Sequence, residues 1–379
     1  MQARQAIVTN LSDCSLTPLA EIGPQLVLGF AAPRFFADPD FAPWLARAFP
    51  QARRLVVSTA GEISSQGVSN DSAVITALHF GQAGFRVAAT DVADMDDSRE
   101  AGRRLAGQLP GDGLRAVLLL SQGVRVNGSE LIAGVVSVLG KAIPLTGGLA
   151  GDYGAFSRTW ALLDEQVSDT LMLAVGFYGE ALDFAHGSFG GWNSFGPARR
   201  ATRAAGNVLY ELDGEPALEV YRRYLGDYAR DLPASGLLFP FAILSGDREE
   251  TGLIRTLLGV DEVDGSLTLA GDIPQDGYLK LMHASTEALV DGAEAAAEAA
   301  RRMARGDGQG LGILVSCIGR KLVMGDRVDE EVEAVGEVLG QNCVLTGFYS
   351  NGEISPFLET TECKLHNQTM TITYLGETG

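Results

Sequence analysis

Three short stretches of this chain each end a run of apolar residues with glycine and then a carboxylate. STAGEIS (58–64) carries Glu62, LTGGLAGD (145–152) carries Asp152, and LTGFYSNGEISP (345–356) carries Glu353. Glycines at these points (Gly61, Gly147, Gly148, Gly347, Gly352) let a chain turn tightly or approach another group closely. Small side chains also bare backbone N–H and C=O groups, which can hydrogen-bond a polar ligand. A carboxylate beside them suits a cation such as an amino group. Ser58, Thr59, Tyr349, Ser350 and Asn367 would add polar lining. Gly-Glu and Gly-Asp are ordinary turn residues too, so it is the threefold recurrence that makes a pocket worth weighing.

A second constellation is VSCIGR (315–320), with Cys317 at a strand end and Arg320 three residues on. As a nucleophile Cys317 would need a base and a lowered pKa, as in a Cys-dependent hydrolase or transferase. The plainer reading is a small buried residue at a strand terminus. Arg320 could grip a ligand carboxylate through two parallel hydrogen bonds. Other motifs fail on context. GDGQGLG (306–312) has G-x-G spacing but follows a helix and precedes a strand, the reverse of a dinucleotide site. P-loop, H-E-x-x-H and EF-hand patterns do not occur, and HGSFGG has no accompanying G-x-S-x-G elbow.

The elements that must position these residues alternate between strand and helix patterns, which predicts an α/β or mixed α+β fold with packed sheets and flanking helices. LRAVLLLSQG reads as a buried strand, GSELIAGVVSVLG as a helix capped by Asn127 or Ser129, and IPLTGGLAGD as a strand entering a glycine-rich loop. SAVITALHF and GFRVAAT read as neighbouring strands joined by a Gly-Gln-Ala-Gly turn. TEALVDGAEAAAEAARRMAR is a long Ala-rich helix with a solvated face. VLLLSQG lies over ILVSCIG, PLTGGLAGD over VLTGFYSNGE, and DTLMLAVGFYGE over NQTMTITYLGET, at nearly constant offset. That order implies an internal duplication, with units at 20–180 and 216–379 and a connector at 181–215. In this alignment Gln122 stands where the second unit has Cys317, so the two units do not share a nucleophile.

Composition bounds the function. The formal net charge of −19 offers no basic footprint for nucleic acid and would be repelled by anionic membrane surfaces. Four cysteines without C-x-x-C spacing argue against a disulfide framework or structural zinc. The start of the chain has no signal-peptide pattern and no stretch is long enough for a membrane span, so a cytoplasmic protein is expected. The 47 glycines are about 12% of the chain against a usual ~7%, without collagen period or linker character.

TGFYSNGEISP followed by LHNQTMTIT resembles the C-terminal signature of the FIST family of bacterial sensory domains. STAGEIS and LTGG-x-AGD resemble its N-terminal half, LDGEPALEVYRRYLG its connector, and VSCIGR the strand end before the signature. The resemblance runs from about residue 25 to 375. It implies a non-enzymatic small-ligand sensor, binding amino-acid-like molecules between or at the glycine loops, with output through a separate signalling protein because the sequence carries no kinase or cyclase pattern. One branch of the family implies haem, nitric-oxide sensing and a histidine kinase partner. An axial histidine would then be needed. Of His79, His186, His283 and His366, the expectation falls on His186 in AHGSFGGW, where glycines would leave space, Phe189 and Trp192 could flank a macrocycle, and Arg199 and Arg200 could meet propionates.

Overall fold

A computed structural model describes residues 1–306, 308–356 and 362–378; Asp307 of the GDGQGLG stretch lies outside them. The fold is mixed α+β, with several packed sheets and flanking helices.

The first six strands are β1 (Gln2–Val8), β2 (Leu26–Ala31), β3 (Arg53–Ser58), β4 (Glu62–Ser64), β5 (Gly67–Ser69) and β6 (Ala73–His79). The same series returns as β7 (Gly84–Asp91), β8 (Leu114–Ser121), β9 (Leu145–Leu149), β10 (Ala161–Leu163), β11 (Gln166–Ser168) and β12 (Leu171–Tyr178). Next come β13 (Leu182–Phe189) and an inserted sheet of β14 (Asn193–Ala205), β15 (Val208–Leu212), β16 (Glu215–Pro216), β17 (Phe241–Leu244), β18 (Glu250–Arg255), β19 (Leu257–Asp261), β20 (Ser266–Leu269) and β21 (Tyr278–His283). The series then closes with β22 (Gly310–Cys317), β23 (Cys343–Ser350), β24 (Gly352–Pro356), β25 (Cys363–His366) and β26 (Met370–Glu377).

Three six-stranded sheets share one plan. Their orders are β1-β6-β2-β3-β10-β11, β7-β12-β8-β9-β24-β25 and β13-β26-β22-β23-β4-β5. In each, a parallel pair (β2 with β3, β8 with β9, β22 with β23) is flanked by antiparallel partners. The last two strands of every sheet are a hairpin donated by another repeat. The first repeat gives its hairpin to the third sheet, the third to the second, and the second to the first. The duplication visible in the sequence thus extends to a third copy, and hairpin exchange closes a ring. The segment 181–215 supplies β13 to the third sheet and β14 and β15 to the insert.

Alternation explains the layering. Leu26, Leu28 and Phe30 of β2, Leu118 and Leu120 of β8, and Leu311, Ile313 and Val315 of β22 point into one shared core where the three sheets face each other. The opposite faces are covered by helices. Helix Gly128–Leu139 starts where Asn127 Oδ1 accepts the backbone N–H groups of Ser129 and Glu130, so Asn127 is the cap. Helix Thr286–Met303 buries Ala293, Ala296, Ala297 and Ala300 at helical spacing, leaving its other face to solvent.

SAVITALHF and GFRVAAT are not a hairpin. β6 lies within the first sheet and β7 edges the second. The N–H groups of Gly81, Gln82 and Ala83 between them bond the Glu377 carboxylate instead of closing a turn. Among the described residues no helix is long and apolar enough to cross a membrane.

Candidate functional site

The glycine-carboxylate loops are the crossover points where each parallel pair hands its hairpin on. At two of them the carboxylate is held by the same cradle. Glu62 accepts the Thr59 hydroxyl (2.5 Å) on one oxygen, and the Ser72 N–H (2.9 Å) and hydroxyl (2.8 Å) on the other. Glu353 accepts the Ser350 hydroxyl (2.7 Å), and the Thr369 N–H (3.1 Å) and hydroxyl (3.0 Å). Asp152 instead takes the N–H groups of Phe156, Ser157 and Arg158 and ties down its own loop. Glu62 and Glu353 are fully buried. Burial pushes both carboxyls up, Glu353 to about 7, against the opposing pull of the bonds to Ser350 and Thr369. Ser58 donates to the Gly151 carbonyl, linking the first and second repeats. Gly147 and Gly347 sit in the parallel pairs, where a Cβ would lie 1.9 Å from the Leu119 carbonyl oxygen and 1.8 Å from that of Leu314. Gly148, Gly352 and Gly61 are also crowded, the last by the Lys321 ammonium.

Arg320, Glu331, Ser316 and Tyr349 form a second enclosed network. Arg320 bonds Glu331 through Nε (3.1 Å) and Nη2 (2.7 Å) and donates to the carbonyls of Gly190 and Leu289. Ser316 and Tyr349 donate to the other Glu331 oxygen at 2.9 and 2.6 Å. Arg320 and Glu331 are both wholly inaccessible, so the guanidinium expected to grip a ligand carboxylate is occupied by an internal one. Cys317 is buried beside Glu353, and both effects push its thiol well above the ordinary range, opposite to what a nucleophile needs.

His186 is on strand β13, 3% exposed, rather than in an open loop. The neighbouring glycines do not leave space. A Cβ at Gly187 would lie 2.0 Å from the Ala296 carbonyl and one at Gly191 2.0 Å from that of Ala288, because helix Thr286–Met303 fills the room. Trp192 donates its indole N–H to the Gln368 carbonyl (2.8 Å), and Arg199 pairs with Asp213. Burial draws His186 down to about 4 and leaves its Nδ1 without a partner. These surroundings do not fit a haem. No metal-ligating cluster occurs among the described residues.

An accessible site lies elsewhere, in a cleft of about 230 Å³ between the core and the inserted sheet. The core side comprises Gly123, Val124, Val126 and Asn127 after β8, Leu149 and Phe156 after β9, and Asn351, Leu365 and Asn367 from the third repeat. Asn207, Leu258, Leu269, Ala270 and Gly271 come from the insert. Among the described residues no charged side chain lines it. The side-chain oxygens of Asn351 and Asn367 are buried without a hydrogen-bond partner among the described residues, a costly condition unless something else supplies a donor. Asn367 is the residue from the sequence-derived set that reaches this cleft. Asn351 escaped notice, although a signal was present: STAGE and GLAGD have alanine before the glycine where YSNGE has asparagine.

Family models match almost end to end, with the FIST N domain over residues 25–215 and the FIST C domain over 217–356. The chain belongs to the FIST family. FIST domains are small-ligand sensory domains of signal transduction. The FIST chain is 33% identical over 99 residues to an uncharacterized protein, MJ1623, of Methanocaldococcus jannaschii; that match spans 25% of this chain and 19% of its relative. A solved cyanuric acid hydrolase from A. caulinodans aligns over 100% of this FIST chain and 99% of its own, at 8% identity and a TM-score of 0.37, too weak a likeness to carry an argument.

Proposed function

We propose that this FIST protein senses a small, uncharged ligand held in the cleft between the three-sheet core and the inserted sheet. The observation that carries this reading is the pair of unpartnered amide oxygens, Asn351 and Asn367, in a largely apolar cavity whose other polar side chains are the amides of Asn127 and Asn207. Pockets of this kind use a few placed polar groups for orientation and apolar walls for affinity. The oxygens ask for N–H or O–H donors on the ligand. A zwitterion would bring two charges into a site with no charged side chain, and burying them unpaired is costly. The ligand is therefore an apolar or aromatic molecule with one or two donor groups, and at about 230 Å³ the cavity falls below the ~300–1,000 Å³ range of drug-sized sites. Contact with Leu258, Ala270 and Gly271 on one side and Asn351 on the other would favour one docking of the insert over others, which is what a sensor's output requires.

A thermal-shift screen of small neutral heterocycles and amides, alongside free amino acids, tests this. Stabilisation by donor-bearing neutral compounds, weakened at least tenfold by Asn351→Leu or Asn367→Leu, is expected. Stabilisation by amino acids alone, or binding indifferent to both substitutions, would overturn it.

A further inference from the structure

A different cavity, on the core alone, has the opposite chemistry. It encloses about 270 Å³ beside the loop after β8 and is lined by Gln122, Arg125, Ser157, Arg158, Thr159 and Asp169, together with Val124. Gln122 is 1% exposed, and its orientation is set by its neighbours: Oε1 accepts the N–H groups of Val124 (2.9 Å) and Arg125 (3.0 Å). The amide nitrogen is thereby left as the free end, and it has no partner. Two buried N–H donors without an acceptor carry a desolvation cost that nothing among the described residues offsets.

Arg125 completes the picture. Among the described residues its guanidinium makes no hydrogen bond, and no carboxylate lies within ion-pair distance of it. Arg158 is pinned, its Nε on Asp169 at 2.7 Å and its guanidinium 4.0 Å over the Trp160 ring. Thr159 uses its hydroxyl oxygen to accept the Gly123 N–H (2.7 Å), which leaves the hydroxyl proton to donate elsewhere. Two guanidinium groups against the single Asp169 carboxylate make the lining net positive, in a chain whose formal net charge is −19.

We propose that this cavity is a second ligand site, for a small oxyanion such as a phosphoryl or carboxylate group. Gln122 offers neutral donors at the buried end, and Arg125 and Arg158 offer charge-assisted bonds at the open end, a pairing that matches the planar or tetrahedral oxygens of such groups. The site shares Val124 with the neutral cleft but none of its asparagines, so the two stand or fall separately.

Inorganic phosphate and acetate serve as probes, titrated at constant ionic strength against chloride. The chain has three tryptophans, and an anion engaging Arg158 alters its stacking on Trp160, so tryptophan fluorescence reports binding and a Trp160→Phe variant assigns the signal. Saturable binding of either probe is expected; phosphate alone marks a phosphoryl ligand, acetate alone a carboxylate. Gln122→Glu keeps the acceptor for Val124 and Arg125 while replacing the donors by negative charge, and should weaken binding at least tenfold. Arg125→Ala, at an exposed side chain with no role in packing, should do the same and carries the test if Gln122→Glu does not fold. No saturable response to either probe, or affinity unaltered in both variants, would refute the site.

Discussion

Glu353 is fully buried, and its carboxyl is pushed up to about 7 from an ordinary 4.5 because burial outweighs the bonds from Ser350 and Thr369. A carboxyl with a raised folded-state value binds its proton more tightly folded than unfolded. Its contribution is therefore intact below about pH 4.5 and is lost as pH rises through 7, so stability falls across that window. The shift of roughly 2.5 units corresponds to about 3 kcal/mol at 1.36 kcal/mol per unit. Glu353→Gln removes the titration while keeping the geometry: the amide oxygen can accept from Thr369, and the amide nitrogen can donate to the Ser350 hydroxyl, which rotates freely. Urea denaturation at intervals from pH 4.5 to 8.5 measures the difference between wild type and variant. The two should be nearly equal at the acid end, with the variant ahead by about 3 kcal/mol above pH 8. Glu62 shifts in the same direction and contributes to both proteins, so the difference curve isolates Glu353. Parallel stability curves across the range would refute the assignment of a proton to buried Glu353.

Two further substitutions probe the scaffold. Arg320→Met strips the cation from the enclosed Glu331 and should cost about 3–5 kcal/mol in chemical denaturation, whereas replacing both Arg320 and Glu331 by apolar residues should recover much of that loss. Gly347→Ala forces a Cβ to 1.8 Å from the Leu314 carbonyl within the β22–β23 pair and should lower the denaturation midpoint by an amount equivalent to about 3 kcal/mol or more, while Gly340→Ala, which meets no neighbour, pays only for its positive φ of 88°.

Much of the fold was legible because it is written in local periodicity. Alternating Leu26, Leu28 and Phe30, the β8 run, the Asn127 cap and the alanine spacing of helix Thr286–Met303 each carry their own signal. The hairpin exchange was not legible. β4, β10 and β24 are three to five residues long, and their partners β23, β3 and β9 are reached only through tertiary packing. The third copy was hidden for a related reason. LVVSTAGE lacks the Leu-Thr-Gly turn: aligned on Glu62 and Glu353, Leu55 and Val56 stand where the third repeat has Thr346 and Gly347. The loops with glycine and carboxylate stood out in the sequence, but the composition of a ligand pocket and that of a buried crossover are the same. What separates them is the donor facing the carboxylate. Ser72 and Thr369 lie 10 and 16 residues beyond Glu62 and Glu353, at the start of strands that sequence alone does not fold back.

The ring of exchanged hairpins also bears on how a bound ligand can be felt. Asn351 immediately precedes β24, the hairpin strand that the third repeat gives to the second sheet, and its N–H bonds the Leu149 carbonyl at the end of β9. Gly123, on the same core wall of the cleft, is held by Thr159 just before β10, the strand the second repeat gives to the first sheet. Both lie between elements that cannot shift without disturbing a neighbouring sheet, because each hairpin completes another repeat's ladder. The insert is tied to the core here by hydrogen bonds from Trp192 to the Gln368 carbonyl, Gln368 to the Leu237 carbonyl and Arg255 to the Leu365 carbonyl. A close-packed three-sheet core is stiff, so the proposed ligand, touching both walls, would do its work on the insert. The insert, with its own core around Tyr221, Phe241 and Leu279, is then the element whose position a signalling partner would read.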